Sequence, residues 1–260
     1  MEIIFSIYIF IFGLLIGSFL NVCIYRIPRG ENIAYPSSHC TSCGNDIKYY
    51  DLIPVLSWVI LRGKCRNCGE KISSRYALVE LTTAILFLLT YLQYGISIYL
   101  LRFLILIPFL IVIAMIDYDT MEVYTITTWL AIAMGFVILG VNFYLGEPTL
   151  TYLYGGLLGA GTITFIILMS KLILKTEGMG WGDVEISGLC GLFLGFKLTF
   201  AMMFFSFMIG GIIGIYLLKF KKKNGSSEMP FGPSIIMAAF IMMIWGDKIL
   251  NWYLGTFYNF

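Results

Sequence analysis

Apolar runs of the length that crosses a lipid bilayer recur along most of this chain. A membrane-spanning helix needs about 20 mostly apolar residues, within a range of about 17–25. Of the eight runs given below, only the sixth and the eighth are shorter than this range. The chain is 59% hydrophobic and 12% charged, whereas soluble domains are about 25% charged, so a soluble globular or disordered protein is excluded. We predict an all-α polytopic membrane protein with about eight transmembrane helices at residues 3–25, 76–94, 98–116, 126–145, 150–174, 184–196, 198–218 and 231–245.

The distribution of Lys and Arg predicts how these helices are oriented. Cytosolic loops of membrane proteins carry an excess of basic residues. If residue 1 is external, only Arg102, Lys197 and Lys248 lie on the outer side, and all other basic residues face the cytosol. The first run has no basic residue before it and no cleavage motif after it, which favours a retained anchor over a signal peptide. We therefore predict a multi-pass protein with both termini external.

The segment between the first two runs, residues 26–75, is far longer than an ordinary connection. It contains two Cys-x-x-Cys pairs, each followed by glycine, a pattern typical of four-thiolate zinc ribbons. Zinc would stabilise a segment too small for a core of its own. Disulfides or a thiol-redox site are the alternatives, although disulfides rarely persist in the cytosol. We predict a small cytosolic zinc-ribbon-like subdomain with the ligands Cys40, Cys43, Cys65 and Cys68.

Carboxylates cluster at the cytosolic ends of two predicted helices. Asp117 and Asp119 end the third run, and Asp183 precedes the sixth run after Gly180 and Gly182. Ionisable residues at such positions are costly and indicate function. Two carboxylates that meet in a bundle can share a proton, so that one activates water while the other protonates the substrate. The alternative is that these aspartates cap the helices that follow them, with the glycines forming only a turn.

Several further motifs follow one another in a fixed order along the chain. They are the segments 17–28, 53–58, 61–65 and 75–81, the paired Cys-x-x-Cys, the Gly-x-Gly-Asp at 180–183 and the segment 230–233. Together they resemble the type IV prepilin peptidases, a family of Gly-x-Gly-Asp aspartyl proteases. The resemblance covers most of the chain.

The resemblance implies an intramembrane-type aspartic endopeptidase of the bacterial inner membrane. Enzymes of this family cleave the leader of type IV prepilins and type II secretion pseudopilins after a glycine at the cytosolic membrane face. Carried over by position, Asp117 and Asp183 form the catalytic pair, and Asp119 is the second candidate for the first role. Gly180 and Gly182 take supporting roles. The implied partners are prepilins and membrane lipid, without nucleic acid.

Bifunctional members of the family also methylate the new N-terminal amine, with S-adenosylmethionine as methyl donor. Gly63 and Lys64 match the segment associated with methyl transfer, and Glu80 matches a carboxylate that these enzymes share. Glu80 could instead form an ion pair with Arg75 or Lys71. The resemblance thus implies structural Zn²⁺ and S-adenosylmethionine as cofactors. A peptidase without methyl transfer and a proton-coupled transporter are the alternative functions.

The sequence departs from the family pattern in two places. The usual Ile-Pro-Asp after the first aspartate is Val123-Tyr124-Thr125, and the usual lysine two residues after the second aspartate is Glu185. Neither change removes a predicted catalytic carboxylate. We predict three parts: a first transmembrane helix (1–25), the zinc-binding and methyltransferase-associated loop (26–75) and the peptidase bundle (76–260).

Overall fold

The computed structural model describes residues 2–175, 179–220 and 230–258. Over these residues the chain is helical, with two isolated β-bridges and no β-strand, which confirms the predicted fold class. Two short 3-10 helices cover Ile27–Arg29 and Tyr49–Leu52. The α-helices are α1 (Glu2–Arg26), α2 (Leu56–Ile60), α3 (Ser74–Tyr94), α4 (Ile98–Thr120), α5 (Thr125–Tyr144), α6 (Leu150–Leu174), α7 (Trp181–Leu194), α8 (Phe196–Phe220) and α9 (Gly232–Tyr258).

Seven of these helices are long and apolar enough to cross a membrane, namely α1, α3, α4, α5, α6, α8 and α9. The sixth predicted run forms α7, which has 14 residues and is about 21 Å long, short of the roughly 30 Å hydrocarbon layer. The eighth forms α9, which has 27 residues. It continues past the predicted end at residue 245 because Asp247 and Lys248 interrupt the apolar pattern without interrupting the helix.

The chain divides into two compact units, Met1–Val112 and Ile113–Phe260. In the first unit, α1 packs closely along α3. A Cβ at Gly13 would lie 2.6 Å from the Cα atom of Ala84, so only a glycine permits this approach. One turn from the end of α1, the Asn21 side-chain amide donates to the Tyr76 carbonyl at 3.0 Å. This contact fixes the register of the two helices where the 26–75 segment leaves the bundle.

In the second unit, α6 and α7 pack antiparallel through small residues. A Cβ at Gly155 would overlap the carbonyl of Gly191, and one at Gly159 would overlap the carbonyl of Ser187. The Ser187 hydroxyl also donates to the Gly159 carbonyl at 3.0 Å. One further turn in this register brings Ile163 of α6 level with the beginning of α7. The α6–α7 contact therefore fixes the position of Asp183 along the axis of α6.

The α6–α7 contact predicts a sharp difference between two glycines of α6. We expect Gly159→Val to lower the melting temperature in detergent by about 5 °C or more, because overpacking a tight interface costs roughly 1–3 kcal/mol. Gly161→Val is the matched control, since a Cβ at Gly161 meets nothing within 4 Å. Melting followed by circular dichroism measures both variants. Equal melting temperatures would contradict the close packing of α6 on α7.

Candidate active site and metal centre

Two of the three predicted carboxylates are buried together in the second unit. Asp117 lies in the last turn of α4 and is 4% exposed, and Asp183 lies in the first turn of α7 and is 7% exposed. The two are close enough for the charge of Asp117 to act on Asp183. Asp119 is exposed. The structure thus brings Asp117 and Asp183 together, and places the side chain of Asp119 at the surface.

A third helix reaches the carboxylate pair at Gly232, the first residue of α9. A methyl group on Gly232 would overlap the Oδ2 atom of Asp117 and would lie 3.0 Å from Cδ1 of Ile186. Ile186 is one turn after Asp183 on α7, so α4, α7 and α9 converge at the pair. The Oδ2 atom of Asp117 is buried and has no hydrogen-bond partner among the described residues. Such an atom is costly unless a proton, water or substrate satisfies it.

The helix-capping alternative applies to one aspartate and not to the others. Helix α5 has Tyr124 at its N-cap without a side-chain cap, so neither Asp117 nor Asp119 caps it. The Oδ2 atom of Asp183 accepts the Gly180 N–H at 3.3 Å, which satisfies a free donor at the start of α7. This bond orients the Asp183 carboxyl group toward the first turn of its own helix. Capping by Asp183 is compatible with a chemical role for it.

The two motif glycines differ in their surroundings. A Cβ at Gly182 would overlap the Val123 side chain, whereas a Cβ at Gly180 would meet the Oδ2 atom of Asp183 at 3.8 Å and the backbone nitrogen of Gly182 at 4.0 Å, both ordinary contacts. Val123 is one of the positions that depart from the family pattern. At the other departure, Glu185 accepts a short hydrogen bond from the hydroxyl of Thr128, which is fully buried. At both departures, a residue in or just before the first turn of α5 therefore contacts the beginning of α7.

The predicted methyltransferase residues lie in the first unit, around α2. Gly63 is buried with φ of +66°, and a Cβ there would lie 2.9 Å from the Trp58 ring. Glu80 on α3 is 9% exposed, and its carboxylate accepts the Val55 N–H at 2.7 Å. The Lys64 side chain is exposed. Gly63 and Glu80 thus both contact the short segment 55–58, on either side of the start of α2.

A cavity of about 430 Å³ opens in the same unit. Its lining combines the aromatic side chains of Tyr25, Trp58 and Tyr76 with the carboxylate of Glu80. Several further acidic and basic side chains from the 26–75 segment complete it. This volume lies within the range of small-molecule sites, about 300–1,000 Å³. The lining suits a ligand that carries both an aromatic ring and opposite charges.

The two Cys-x-x-Cys pairs form two turns of equal backbone geometry. In the first, the Cys40 N–H donates to the Asn45 carbonyl at 2.9 Å and the Gly44 N–H donates to the Cys40 carbonyl at 2.8 Å. The second turn repeats both bonds from Cys65 and Gly69, at 2.8 and 2.9 Å. Both glycines have positive φ, +71° and +74°. Glycine adopts this conformation without steric cost, which explains its place after each pair.

The four thiols converge on one point. Their sulfur atoms all lie within 4.8 Å of one another, and the Sγ atoms of Cys40 and Cys68 are 3.9 Å apart. A tetrahedral zinc ion with Zn–S bonds of about 2.3 Å requires an S–S separation of about 3.8 Å. Hydrogen bonds from the backbone N–H groups of Cys43 and Ser42 lower the pKa of the Cys40 thiol to about 6. The cluster therefore fits zinc.

The second turn is also fixed to the rest of the segment. The Arg66 guanidinium donates two hydrogen bonds to Asp51, at 2.8 and 2.6 Å. These bonds hold the pKa of the Asp51 carboxyl below its usual range. At the other end of the segment, the buried guanidinium of Arg26 donates to the carbonyls of Asn32, Ile33 and Pro36. Hydrogen bonds from two arginine side chains, in addition to the thiol cluster, therefore order residues 26–75.

Comparisons with known proteins agree with this arrangement. Residues 11–94 match the bacterial peptidase A24 N-terminal domain, and residues 104–215 match the type IV leader peptidase family. A prepilin leader peptidase/N-methyltransferase of Pseudomonas putida is 31% identical over 92% of this chain and 90% of its own length. This chain belongs to the type IV leader peptidase family. Another relative of that name, from Bacillus subtilis (strain 168), is 32% identical over 95% of this chain and 96% of its own. No solved structure matches the chain.

Membership of the type IV leader peptidase family confirms the resemblance found in the sequence. The structure adds three residues that sequence reasoning did not place in a site: Gly232 beside Asp117, Val123 behind Gly182, and Trp58 in the cavity. The segment 230–233 was recognised as part of the family pattern, which was the one available signal for Gly232. Nothing in the sequence indicated that Val123 and Trp58 contact motif glycines, because those contacts depend on the fold.

Proposed function

We propose that this protein cleaves the leader of type IV prepilins or pseudopilins after a glycine, at the cytosolic face of the bacterial inner membrane. It then methylates the new N-terminal amine. The observation that carries the proposal is the buried pair of Asp117 and Asp183 in a member of the type IV leader peptidase family. The names of the relatives, prepilin leader peptidase/N-methyltransferase, support both activities.

In the proposed cleavage, the two aspartates share one proton and act as a unit. The ionised carboxylate removes a proton from a water molecule, whose oxygen attacks the carbonyl carbon of the scissile bond. The protonated carboxyl group donates its proton to the carbonyl oxygen of the substrate. The proton taken from water then passes to the amine nitrogen as the C–N bond of the tetrahedral intermediate breaks, and a hydroxyl proton of the intermediate returns to the other carboxylate. The Oδ2 atom of Asp117 is buried without a hydrogen-bond partner in the part of the chain that the structure describes, which supports a place for water on the Asp117 side of the pair.

The proposed orientation has both termini external and the 26–75 segment in the cytosol. The excess of Lys and Arg in that segment supports this. This orientation also requires the chain to cross the membrane at α7. Helix α7 runs antiparallel to α6 and ends beside the first turn of α6, where Gly195 lies against Tyr152. Because α8 begins immediately at Phe196, the chain turns back beside the N-terminal end of α6 although α7 has only 14 residues.

The proposed metal is one structural Zn²⁺ held by the four thiolates. We expect Cys40→Ser to weaken zinc binding by more than about 100-fold, because even outer-shell changes cost 10- to 100-fold. Metal analysis of the purified protein after competition with a chelator measures this. His39→Ala is the matched control, since His39 is the exposed neighbour of Cys40. Full zinc content in Cys40→Ser after the chelator would disprove the four-cysteine site.

The proposed methyl donor is S-adenosylmethionine, and the cavity of the first unit fits it. The aromatic rings of Trp58 and Tyr76 suit its adenine and sulfonium groups, and the mixed charges of the lining suit its amino-acid end. When bound, the donor supplies an electrophilic methyl group to the lone pair of the neutral amine. The residues of this chain would hold the donor and exclude water from it.

The test of the proposed function is a cleavage assay with the full chain in detergent micelles. The substrate is a prepilin-type peptide with a basic leader, a glycine before the scissile bond and an apolar segment after it. We expect one cut after the glycine, and the added mass of one methyl group when S-adenosylmethionine is present. A peptide with valine in place of that glycine is the control. Proton transport by proteoliposomes without any cleavage would favour the transporter alternative instead.

A further inference from the structure

Trp58 is held from two directions by residues that the resemblance associates with methyl transfer. On one side its indole ring packs against Gly63, where a Cβ would lie 2.9 Å from Cζ2 and 3.1 Å from Cε2 of the ring. The indole N–H also donates to the Ile72 carbonyl at 3.1 Å. The ring position therefore requires glycine at residue 63, because any larger side chain would displace the indole.

On the other side, Glu80 fixes the start of the helix that carries Trp58. Val55, the N-cap of α2, has φ of +60° and ψ of −49°. For a β-branched residue this backbone conformation is strained, and strain of this kind clusters at ligand sites. The Glu80 carboxylate accepts the Val55 N–H at 2.7 Å, which holds the strained turn in place. Glu80 thereby sets the direction in which α2 begins.

The segment that these two contacts fix leads into the cavity. Ser57 and Trp58 both line it, together with residues of α1 and α3 that include Asn21, Tyr25 and Tyr76. One face of the Tyr25 ring is covered by the Arg29 guanidinium, 3.7 Å from the ring centroid. Trp58 is the largest aromatic side chain among the lining residues, and the contacts of Gly63 and Glu80 fix its position.

We infer that Trp58 is the aromatic wall of the methyl-donor site, and that Gly63 and Glu80 are positioning residues that hold it there. The inference rests on the proposed methyl transfer, in which the cavity holds S-adenosylmethionine, an adenosine-bearing sulfonium amino acid. An indole ring attracts a sulfonium cation through its π face and stacks on adenine. The carboxylates and basic side chains of the lining complement the charged amino-acid end of the same molecule.

The test is isothermal titration calorimetry of S-adenosylmethionine with the full chain in detergent. We expect Trp58→Ala to raise Kd by about tenfold or more, and Trp58→Phe to stay within about threefold of the wild type. Trp252→Ala is the matched control, because Trp252 is 73% exposed on α9. Circular dichroism and elution volume verify that each variant is folded. A wild-type Kd in Trp58→Ala would overturn the inference.

A second pair of variants tests the positioning role of Gly63. We expect Gly63→Ala to weaken binding because its methyl group displaces the indole and because alanine is strained at a φ of +66°. The double variant Trp58→Phe/Gly63→Ala should recover the part of the binding that the displaced indole costs, since the smaller ring leaves room for that methyl group while the backbone strain remains. No recovery in the double variant would overturn the positioning role. Failure of the wild type itself to bind S-adenosylmethionine would refute the proposed methyl transfer, whereas binding that survives Trp58→Ala refutes only the role of Trp58.

Discussion

Asp117→Asn and Asp183→Asn are each expected to lower the rate of leader cleavage by about a thousandfold or more, while Asp119→Asn stays within a few-fold of the wild type. Asparagine has nearly the shape of aspartate, but it neither ionises nor donates a carboxylic proton. Asp117 and Asp183 are buried together, whereas Asp119 is exposed. We therefore expect the first two variants to lose cleavage because they lose a proton-transferring carboxyl group. Asp119→Asn should keep cleavage because the Asp119 side chain lies at the surface, away from the buried pair.

The measurement is single-turnover cleavage of a prepilin-type peptide in detergent micelles, followed by mass spectrometry. Asp119→Asn is the matched control, because it makes the same chemical change two residues away on the same helix. The melting temperature shows that each variant is folded. Loss of cleavage in Asp119→Asn together with activity in Asp117→Asn would transfer the first catalytic role to Asp119. Activity in all three variants would remove the two-aspartate mechanism.

Gly182→Ala is expected to lower cleavage by about a hundredfold, because a displacement near 1 Å at a catalytic group costs that much. A methyl group on Gly182 would overlap Val123 and push the first turn of α7, with Asp183, away from its place. Gly180→Ala is the matched control and should remain close to the wild type. Its added methyl group would meet the Oδ2 atom of Asp183 at an ordinary 3.8 Å.

A double variant separates this steric explanation from a chemical role for Gly182. The Cβ atom of Val123 would itself lie 2.6 Å from the added methyl group, so Val123→Ala relieves only part of the overlap. Val123→Gly removes it entirely. We therefore expect Gly182→Ala/Val123→Gly to recover part of the lost rate in the same assay. Equal loss in Gly182→Ala and Gly180→Ala would contradict the difference in their surroundings.

The features that sequence reasoning predicted are those that short segments or periodic patterns determine. The two Cys-x-x-Cys turns were predictable because each is local, with a glycine that closes it. A meeting of Asp183 with a carboxylate of the 117–119 cluster was predictable because acidic residues beside apolar runs are costly and indicate function. The choice of Asp117 over Asp119 came from the resemblance. The family roles of Asp117 and Asp183 were then carried over by motif. The helical class followed directly from the length of the runs.

The features that the sequence did not reveal depend on contacts between distant residues. The eighth helix was predicted to end at residue 245, whereas α9 continues to Tyr258. An apolar run predicts the membrane span, but not how far the helix continues beyond it. The packing of Gly182 on Val123, of Gly63 on Trp58 and of Gly232 on Asp117 joins residues from different elements. A glycine in the sequence shows that space is needed, but only the fold shows which neighbour occupies it.

The register of α6 on α7 gives the site a measurable depth. Asp183 is level with Ile163, and α6 continues from there to Leu174, which is about 16 Å at 1.5 Å per residue. An extended peptide covers about 3.3 Å per residue. About five extended residues of a leader would therefore cover the distance from the C-terminal end of α6 to the level of Asp183. For a leader that follows this path, we therefore expect the length of α6 beyond Ile163 to set the distance between its charged residues and the bond that is cut.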